Sequence, residues 1–126
     1  MIGYTMVGTN NLAKAVEFYD NLLGELGAQR FLENERFVAW STGADQPGFS
    51  VTLPHNDEAA TVGNGTMIAM SVETPAQVDA FYAKAIELGA TDEGAPGSRE
   101  MPGFYVGYFR DLDGNKLNVF CFTEVA

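Results

Sequence analysis

Two similar stretches of the sequence indicate how the chain folds. Residues 4–19 read YTMVGTNNLAKAVEFY, and residues 67–82 read MIAMSVETPAQVDAFY. Each begins with a short apolar run, continues through a helix-capping residue and ends in an amphipathic segment closed by Phe-Tyr. Leu-Gly-Ala follows both stretches, at 26–28 and again at 88–90. The same order of signals at a nearly constant offset indicates an internal repeat of two similar modules.

Each half of the chain carries one helix signal and several strand signals. The first helix is predicted to start at Asn10 or Asn11 and to stop at Gly27. The second has Thr74 as its N-cap and stops at Gly89. Apolar runs bounded by turn residues predict further strands at about 29–32, 37–41, 49–53, 91–93, 104–109 and 116–122. Each module therefore reads β-α-β-β-β.

The chain is predicted to form a single α+β domain spanning residues 1–126, because its length suits one compact core. Module 1 covers about 1–54, a polar linker covers 55–65, and module 2 covers about 66–126. A sheet covered by a helix on one side leaves its other face bare, so the two modules are expected to pack together. The glycine- and proline-rich residues 93–103 are expected to form an irregular loop.

Composition narrows the possible functions and partners. Seventeen acidic residues against seven basic ones give a net charge of −10, which repels nucleic acid. Such a charge keeps a protein in solution, and it would also favour cationic ligands. No apolar run reaches the roughly 18 residues of a membrane helix, so no membrane partner is expected. The single Cys121 and the single His55 exclude a disulfide framework and sites with two imidazoles. With no signal peptide apparent, a cytoplasmic protein is expected.

A turn motif near the end of the chain completes the pattern. Residues 111–117 read DLDGNKL, between two predicted strands. With the repeated Phe-Tyr and Leu-Gly-Ala segments, this stretch resembles the vicinal oxygen chelate superfamily, also called the glyoxalase/bleomycin resistance/dioxygenase family. The family's turn is Asp-Pro-Asp-Gly-Asn, so Leu112 replaces its proline. The resemblance covers nearly the whole chain and implies paired modules whose mixed, curved sheet encloses a cleft.

The resemblance also implies where a metal would bind. Metal-using members of the family carry ligands on the first and last strands of a module. Here those positions fall on Tyr4, Met67, Asn118 and Thr52, with Ser50 as the alternative to Thr52. Neutral phenol and thioether groups are poor ligands for a hard divalent ion. We therefore expect no metal and no other cofactor, and Tyr4 remains the candidate acid or base for any reaction.

A ligand cleft is predicted on the side of the strands that faces away from the helices. Trp40 and Tyr108 occupy matching places in the third strand of each module, as cleft walls or as core residues. Arg99, in the loop before the second of these strands, would meet an anionic ligand group. The predicted cleft residues are Tyr4, Trp40, Thr52, Met67, Arg99, Tyr108, Asn118 and Phe120.

Three functions remain open. The first is a metal-free protein of the bleomycin-resistance type that binds a small organic ligand, with a cationic aromatic molecule suiting the net charge. The second is a glyoxalase-like lyase related to lactoylglutathione lyase, or another metal-dependent or dioxygenase-family enzyme. The third is a ligand-sensing role. Because paired-module proteins of this family usually share clefts between chains, the resemblance also implies a homodimer.

Overall fold

The computed structural model describes residues 1–123 and consists of two compact units. The first unit is Met1–Gly63 and the second begins at Asn64, so the boundary falls within the predicted linker. Each unit has one helix and four strands in the order β-α-β-β-β. The α+β class and the two modules are thereby confirmed, whereas their packing as one domain stays a prediction.

The strands of the first module form one mixed sheet. In chain order its elements are β1 (Tyr4–Gly8), α1 (Leu12–Gly24), β2 (Gln29–Glu33), β3 (Phe37–Ser41) and β4 (Gly48–Thr52). The sheet order is β1-β4-β3-β2, with β1 parallel to β4 and the other pairs antiparallel. The first and last strands of the module therefore lie side by side.

The second module repeats this topology. Its elements are β5 (Ile68–Ser71), α2 (Pro75–Glu87), β6 (Thr91–Ser98), β7 (Phe104–Arg110) and β8 (Lys116–Phe122). The sheet order is β5-β8-β7-β6, and β5 runs parallel to β8. The turn predicted from the DLDGNKL motif connects β7 to β8.

Side-chain caps fix where both helices begin. Asn11 Oδ1 accepts a hydrogen bond from a backbone N–H in the first turn of α1 at 3.1 Å. Thr74 and Gln77 form a reciprocal capping box at the start of α2. Both helices end before Gly27 and Gly89, whose φ angles are 75° and 107°. No helix formed by residues 1–123 is long and apolar enough to span a membrane.

The core of each module lies between its helix and one face of its sheet. In the first module the Tyr19 ring centroid lies 4.8 Å from that of Phe49. In the second module Phe81 lies 6.2 Å from Phe109, and Leu117 is the cross-strand partner of Phe109. Because side chains alternate along a strand, the neighbours of these residues in sequence point away from the helices.

The predicted loop at 93–103 is wrong in its first half, because β6 continues to Ser98. The pairing of β6 with β7 shifts register on either side of Gly94, as in a strand with bulges. Pro96 is tolerated because β6 ends the strand order and needs hydrogen-bond donors toward only one neighbour. Glycine and proline here mark irregularities in a terminal strand rather than the absence of a strand.

Candidate functional site

One face of the first module points away from α1 and carries Tyr4 and Met6. In the register of β1 and β4, Tyr4 pairs with Gly48 and Met6 pairs with Ser50. Tyr4 is 64 % exposed. A cavity of about 210 Å³ opens on this face, lined by Tyr4, Met6, Phe31, Leu32, Phe37, Ala39 and Ser50. The cavity is smaller than a typical ligand pocket of roughly 300–1,000 Å³, and its lining is mainly apolar.

The hydroxyls at the implied metal position of the first module are bonded to the backbone. Ser50 Oγ donates to the Thr5 carbonyl at 2.7 Å, and Thr52 Oγ1 donates to the Leu53 carbonyl at 2.8 Å. Met6 and Ala69 occupy equivalent positions of the two repeated stretches. Met6 pairs with Ser50, and Ala69 pairs with Asn118. Ser50 rather than Thr52 is therefore the counterpart of Asn118. Neither hydroxyl can donate to a ligand without breaking its backbone bond.

Trp40 lies in the core beneath α1. The prediction that it lines the cleft is therefore wrong, and the alternative of a core residue is correct. Trp40 is 2 % exposed, and its Nε1 donates to Asp20 Oδ1 on α1 at 2.9 Å. Trp40 pairs with Phe49, which faces the helix, whereas Tyr108 pairs with Asn118, which faces away. The counterpart of Tyr108 in the first module is therefore Ala39, the residue before Trp40.

Asp20 links Trp40 to a charged neighbour. Its carboxylate also accepts a hydrogen bond from Arg30 Nε at 3.0 Å. The hydrogen bond from Arg30 lowers the pKa of Asp20, desolvation opposes this shift, and the bond from Trp40 adds to it. The carboxylate of Asp20 therefore anchors α1 to the indole, and its pKa lies below the ordinary value of an aspartate.

Replacing Asp20 by asparagine is expected to lower the free energy of unfolding near pH 7, because it weakens the ion pair with Arg30. This ion pair is exposed, so the loss should be at most about 1 kcal/mol. A depressed pKa in the folded state contributes stability above the unfolded value of about 4 and loses it as the pH falls further. Urea unfolding monitored by Trp40 fluorescence should show a difference between variant and parent that shrinks by about pH 3. Asp45→Asn, at an exposed loop carboxylate, is the control, and a pH-independent difference would contradict the expectation.

Asn118, in the second module, has a buried side-chain oxygen without a hydrogen-bond partner among the described residues. It lies on the side of β8 that faces away from α2, opposite Tyr108 on β7. The residue is only 3 % exposed, and its Nδ2 donates to Met67 Sδ at 3.7 Å. Its Oδ1 is buried and accepts no hydrogen bond from any residue that the structure describes. A buried acceptor left in this state costs about 1–3 kcal/mol.

Two cationic side chains lie beside the Tyr108 ring. The guanidinium carbon of Arg99 is 5.7 Å from the ring centroid, and Lys116 Nζ is 5.4 Å from it. Lys116 precedes Asn118 by two residues in β8 and therefore shares its face. The structure thus brings together Met67, Arg99, Tyr108 and Asn118 of the predicted set. It adds Lys116, which strand alternation from Asn118 would have identified.

Phe120 extends this face as part of an aromatic cluster. Its ring centroid lies 5.7 Å from that of Phe104 and 5.8 Å from that of Phe122. The sequence prediction missed both neighbours, although alternation along β8 points to Phe122. Of the eight predicted cleft residues, Tyr4, Thr52 and the core residue Trp40 belong to the first module, and the other five lie on this face of the second.

The groups at the implied metal positions do not fit a divalent ion. They are a phenol, backbone-bonded hydroxyls, the Met67 thioether and the Asn118 amide, whereas such ions prefer carboxylate, imidazole or thiolate ligands. Within residues 1–123, no three His, Cys, Asp or Glu side chains are grouped as a metal site requires. Burial raises the pKa of Cys121, which disfavours the thiolate that a metal would bind.

Several known proteins resemble this chain in sequence and structure. The family model described as Glyoxalase/Bleomycin resistance protein/Dioxygenase superfamily matches residues 1–119. A crystal structure of a glyoxalase/bleomycin resistance protein from Albidiferax ferrireducens T118 is 36% identical, with a TM-score of 0.88. The match covers 98% of this chain and 99% of that chain. No curated protein matches the chain.

More distant structures share the fold alone. A glyoxalase/bleomycin resistance protein/dioxygenase family enzyme from Burkholderia phytofirmans PsJN has 19% identity and a TM-score of 0.76, over 96% of this chain and 98% of that chain. A putative glyoxalase from Bacillus halodurans has 17% identity and a TM-score of 0.76, over 96% and 95% of the two chains. From the family match and the 36% identical structure, the chain belongs to the glyoxalase/bleomycin resistance protein/dioxygenase superfamily.

Proposed function

We propose that the protein binds a small organic ligand and does so without a metal ion. The observation that carries the proposal is the buried Asn118 Oδ1, which no donor within residues 1–123 satisfies. Nearly all buried polar atoms in folded proteins have a hydrogen-bond partner. A ligand that supplies an N–H or O–H group to this oxygen, and stacks on the nearby aromatic side chains, would remove the deficit.

Native mass spectrometry of freshly purified protein tests ligand binding directly. We expect a fraction of the chains to carry one small organic molecule, since a buried acceptor favours retention of a bound donor. The Asn118→Leu variant, purified in parallel, should lack the adduct. Adducts of equal abundance in both proteins would assign the molecule to another surface.

The proposal also predicts that the purified protein carries no stoichiometric zinc, nickel or iron. Neutral hydroxyl, thioether and amide groups hold such ions weakly compared with carboxylates and imidazoles. Elemental analysis after dialysis against the metal and then against buffer measures the content. One ion per chain that disappears when Met67 and Asn118 are both replaced by alanine would contradict the prediction.

A glyoxalase-like lyase related to lactoylglutathione lyase, or a dioxygenase-family relative, is the alternative function, since the description of the matching family includes glyoxalases and dioxygenases beside bleomycin resistance proteins. In this case the exposed phenol of Tyr4 is the candidate group for proton transfer. Turnover of the methylglyoxal–glutathione hemithioacetal, with nickel or zinc added, tests the alternative. Activity that falls in Tyr4→Phe would favour an enzyme, and no activity with either metal would favour the binding protein.

We also propose that the protein is a homodimer in the cytoplasm. The first module exposes apolar side chains at Met6, Phe31 and Leu32, a patch that association would remove from water. Sedimentation at tens of micromolar should give about twice the mass of the chain. Leu32→Glu should shift the species toward monomer, whereas Leu112→Glu, at another exposed leucine, should not. A parent protein that sediments as a monomer would contradict the proposal.

The proposed cytoplasmic location agrees with the free, buried Cys121, because the cytoplasm keeps thiols reduced.

A further inference from the structure

Two basic side chains adjoin the Tyr108 ring, which is paired with Asn118, although the chain as a whole is acidic. The chain carries a net charge of −10 with only seven basic residues, yet Arg99, Arg110 and Lys116 all lie near β7 and the start of β8. Arg110 is neutralised by an ion pair with Glu93. Within residues 1–123, no carboxylate forms an ion pair with Arg99 or Lys116. Two positive charges that form no ion pair within the described residues therefore adjoin the Tyr108 ring.

The position of Arg99 is fixed by the backbone rather than by an acidic partner. Its Nη2 donates to the Ala95 carbonyl at 2.9 Å, and its Nη1 donates to the Ser98 carbonyl at 3.1 Å. Its guanidinium lies against two glycines, since a Cβ at Gly94 would be 3.4 Å from Nη2 and one at Gly97 would be 3.2 Å from Nη1. Carbonyl bonds orient the guanidinium and leave its positive charge for another group.

We propose that the ligand of this face is an organic acid that also carries a hydroxyl or amide N–H group. Its carboxylate binds between Arg99 and Lys116 beside the Tyr108 ring, and its hydroxyl or N–H donates to Asn118 Oδ1. The proposal rests on the proposed binding function and specifies the ligand's charge. A cationic aromatic ligand, which the net charge favours, is the opposite expectation.

The distances support one molecule that reaches both groups. Both cationic groups lie within 6 Å of the Tyr108 ring centroid. Tyr108 and Asn118 are directly paired across β7 and β8, where Cβ atoms are roughly 5 Å apart. An aromatic acid of one ring spans this separation. The Asn118 amide is neutral, so it accepts the hydroxyl or N–H group without repelling the carboxylate bound beside Tyr108.

Three probes with the same ring and different charges test the inference by isothermal titration calorimetry. These are 4-hydroxybenzoate, the neutral 4-hydroxybenzamide and the cationic tyramine. We expect 4-hydroxybenzoate to bind at least roughly tenfold more tightly than the other two, as expected for a charge-assisted hydrogen bond. Benzoate, which lacks the hydroxyl, should bind more weakly than 4-hydroxybenzoate.

Charge variants locate the site. Lys116→Gln and Arg99→Gln should each weaken 4-hydroxybenzoate binding roughly tenfold, while Lys116→Arg should retain it. Lys84→Gln is the matched control, because Lys84 lies on α2 and pairs with Glu87. Circular dichroism of each variant verifies that the fold is intact.

The outcomes separate this inference from the proposed function. Tighter binding of tyramine or 4-hydroxybenzamide, or equal losses in the Lys84 and Lys116 variants, would overturn the anionic ligand and leave ligand binding intact. A neutral or cationic molecule found on the purified protein would do the same. If no probe binds and no molecule co-purifies, both the inference and the proposed function fail.

Discussion

Replacing Phe81 by alanine is expected to lower the free energy of unfolding by about 3–5 kcal/mol. Phe81 is 1 % exposed, and its ring lies 6.2 Å from that of Phe109, between α2 and the sheet of the second module. Removal of the ring leaves a cavity that close-packed neighbours fill only in part, so lost burial and cavity formation both destabilise the protein. A loss of this size is a large fraction of the stability of a small domain.

Urea unfolding followed by far-ultraviolet circular dichroism measures the effect. Phe122→Ala is the matched control, because it removes the same side chain from a residue that is 58 % exposed. Its expected loss is below about 1 kcal/mol, as for most exposed positions. Equal losses in the two variants would show that Phe81 does not occupy the core between α2 and β7.

The modules and their helices were predictable because their signals are local. The Thr74–Gln77 capping box and the Asn11 cap each depend on residues within one helical turn. The two faces of β8 follow in the same way, since alternation separates Leu117 from Asn118 once the strand is recognised. An internal repeat then fixes the second module by analogy with the first.

The face occupied by Trp40 was not predictable from local signals. A one-residue difference in strand register moves a side chain from one face of a sheet to the other. Placing Trp40 and Tyr108 at matching positions assumed equal registers, but Trp40 pairs with Phe49 and Tyr108 pairs with Asn118. The hydrogen bond from Trp40 to Asp20 joins residues that are distant in sequence. No pattern within one segment indicates such a contact.

The cluster around Tyr108 was only partly predictable for a related reason. Arg99 was identified from its place before a cleft strand, but its contact with Tyr108 depends on β6 continuing to Ser98. Glycine and proline in that strand pointed to a loop, because single-sequence patterns do not show that a strand is terminal in its sheet. Lys116 lies in the strand predicted at 116–122, and its place on the face of Asn118 follows from strand alternation, but its contact with the Tyr108 ring depends on the pairing of β7 with β8.

Replacing Asn118 by leucine is expected to change stability and ligand binding in opposite directions. In the ligand-free protein the substitution removes a buried oxygen that has no donor within residues 1–123. The free energy of unfolding should therefore rise by about 1–3 kcal/mol, less the weak bond to Met67 Sδ. A residue kept at a cost to stability points to a role in function.

Asn115→Leu is the matched control, because Asn115 is also a buried amide of the second module. Its Nδ2 donates to Asp111 Oδ2 at 3.0 Å, so its replacement leaves a buried carboxylate oxygen without that donor and should destabilise the protein by about 1–3 kcal/mol. Urea unfolding of the ligand-free variants compares the two changes, and titration with 4-hydroxybenzoate should show binding weakened by about 1–3 kcal/mol in Asn118→Leu. Equal losses of stability in the two variants would show that the Asn118 amide stabilises the fold, and would contradict a role for its oxygen in ligand binding.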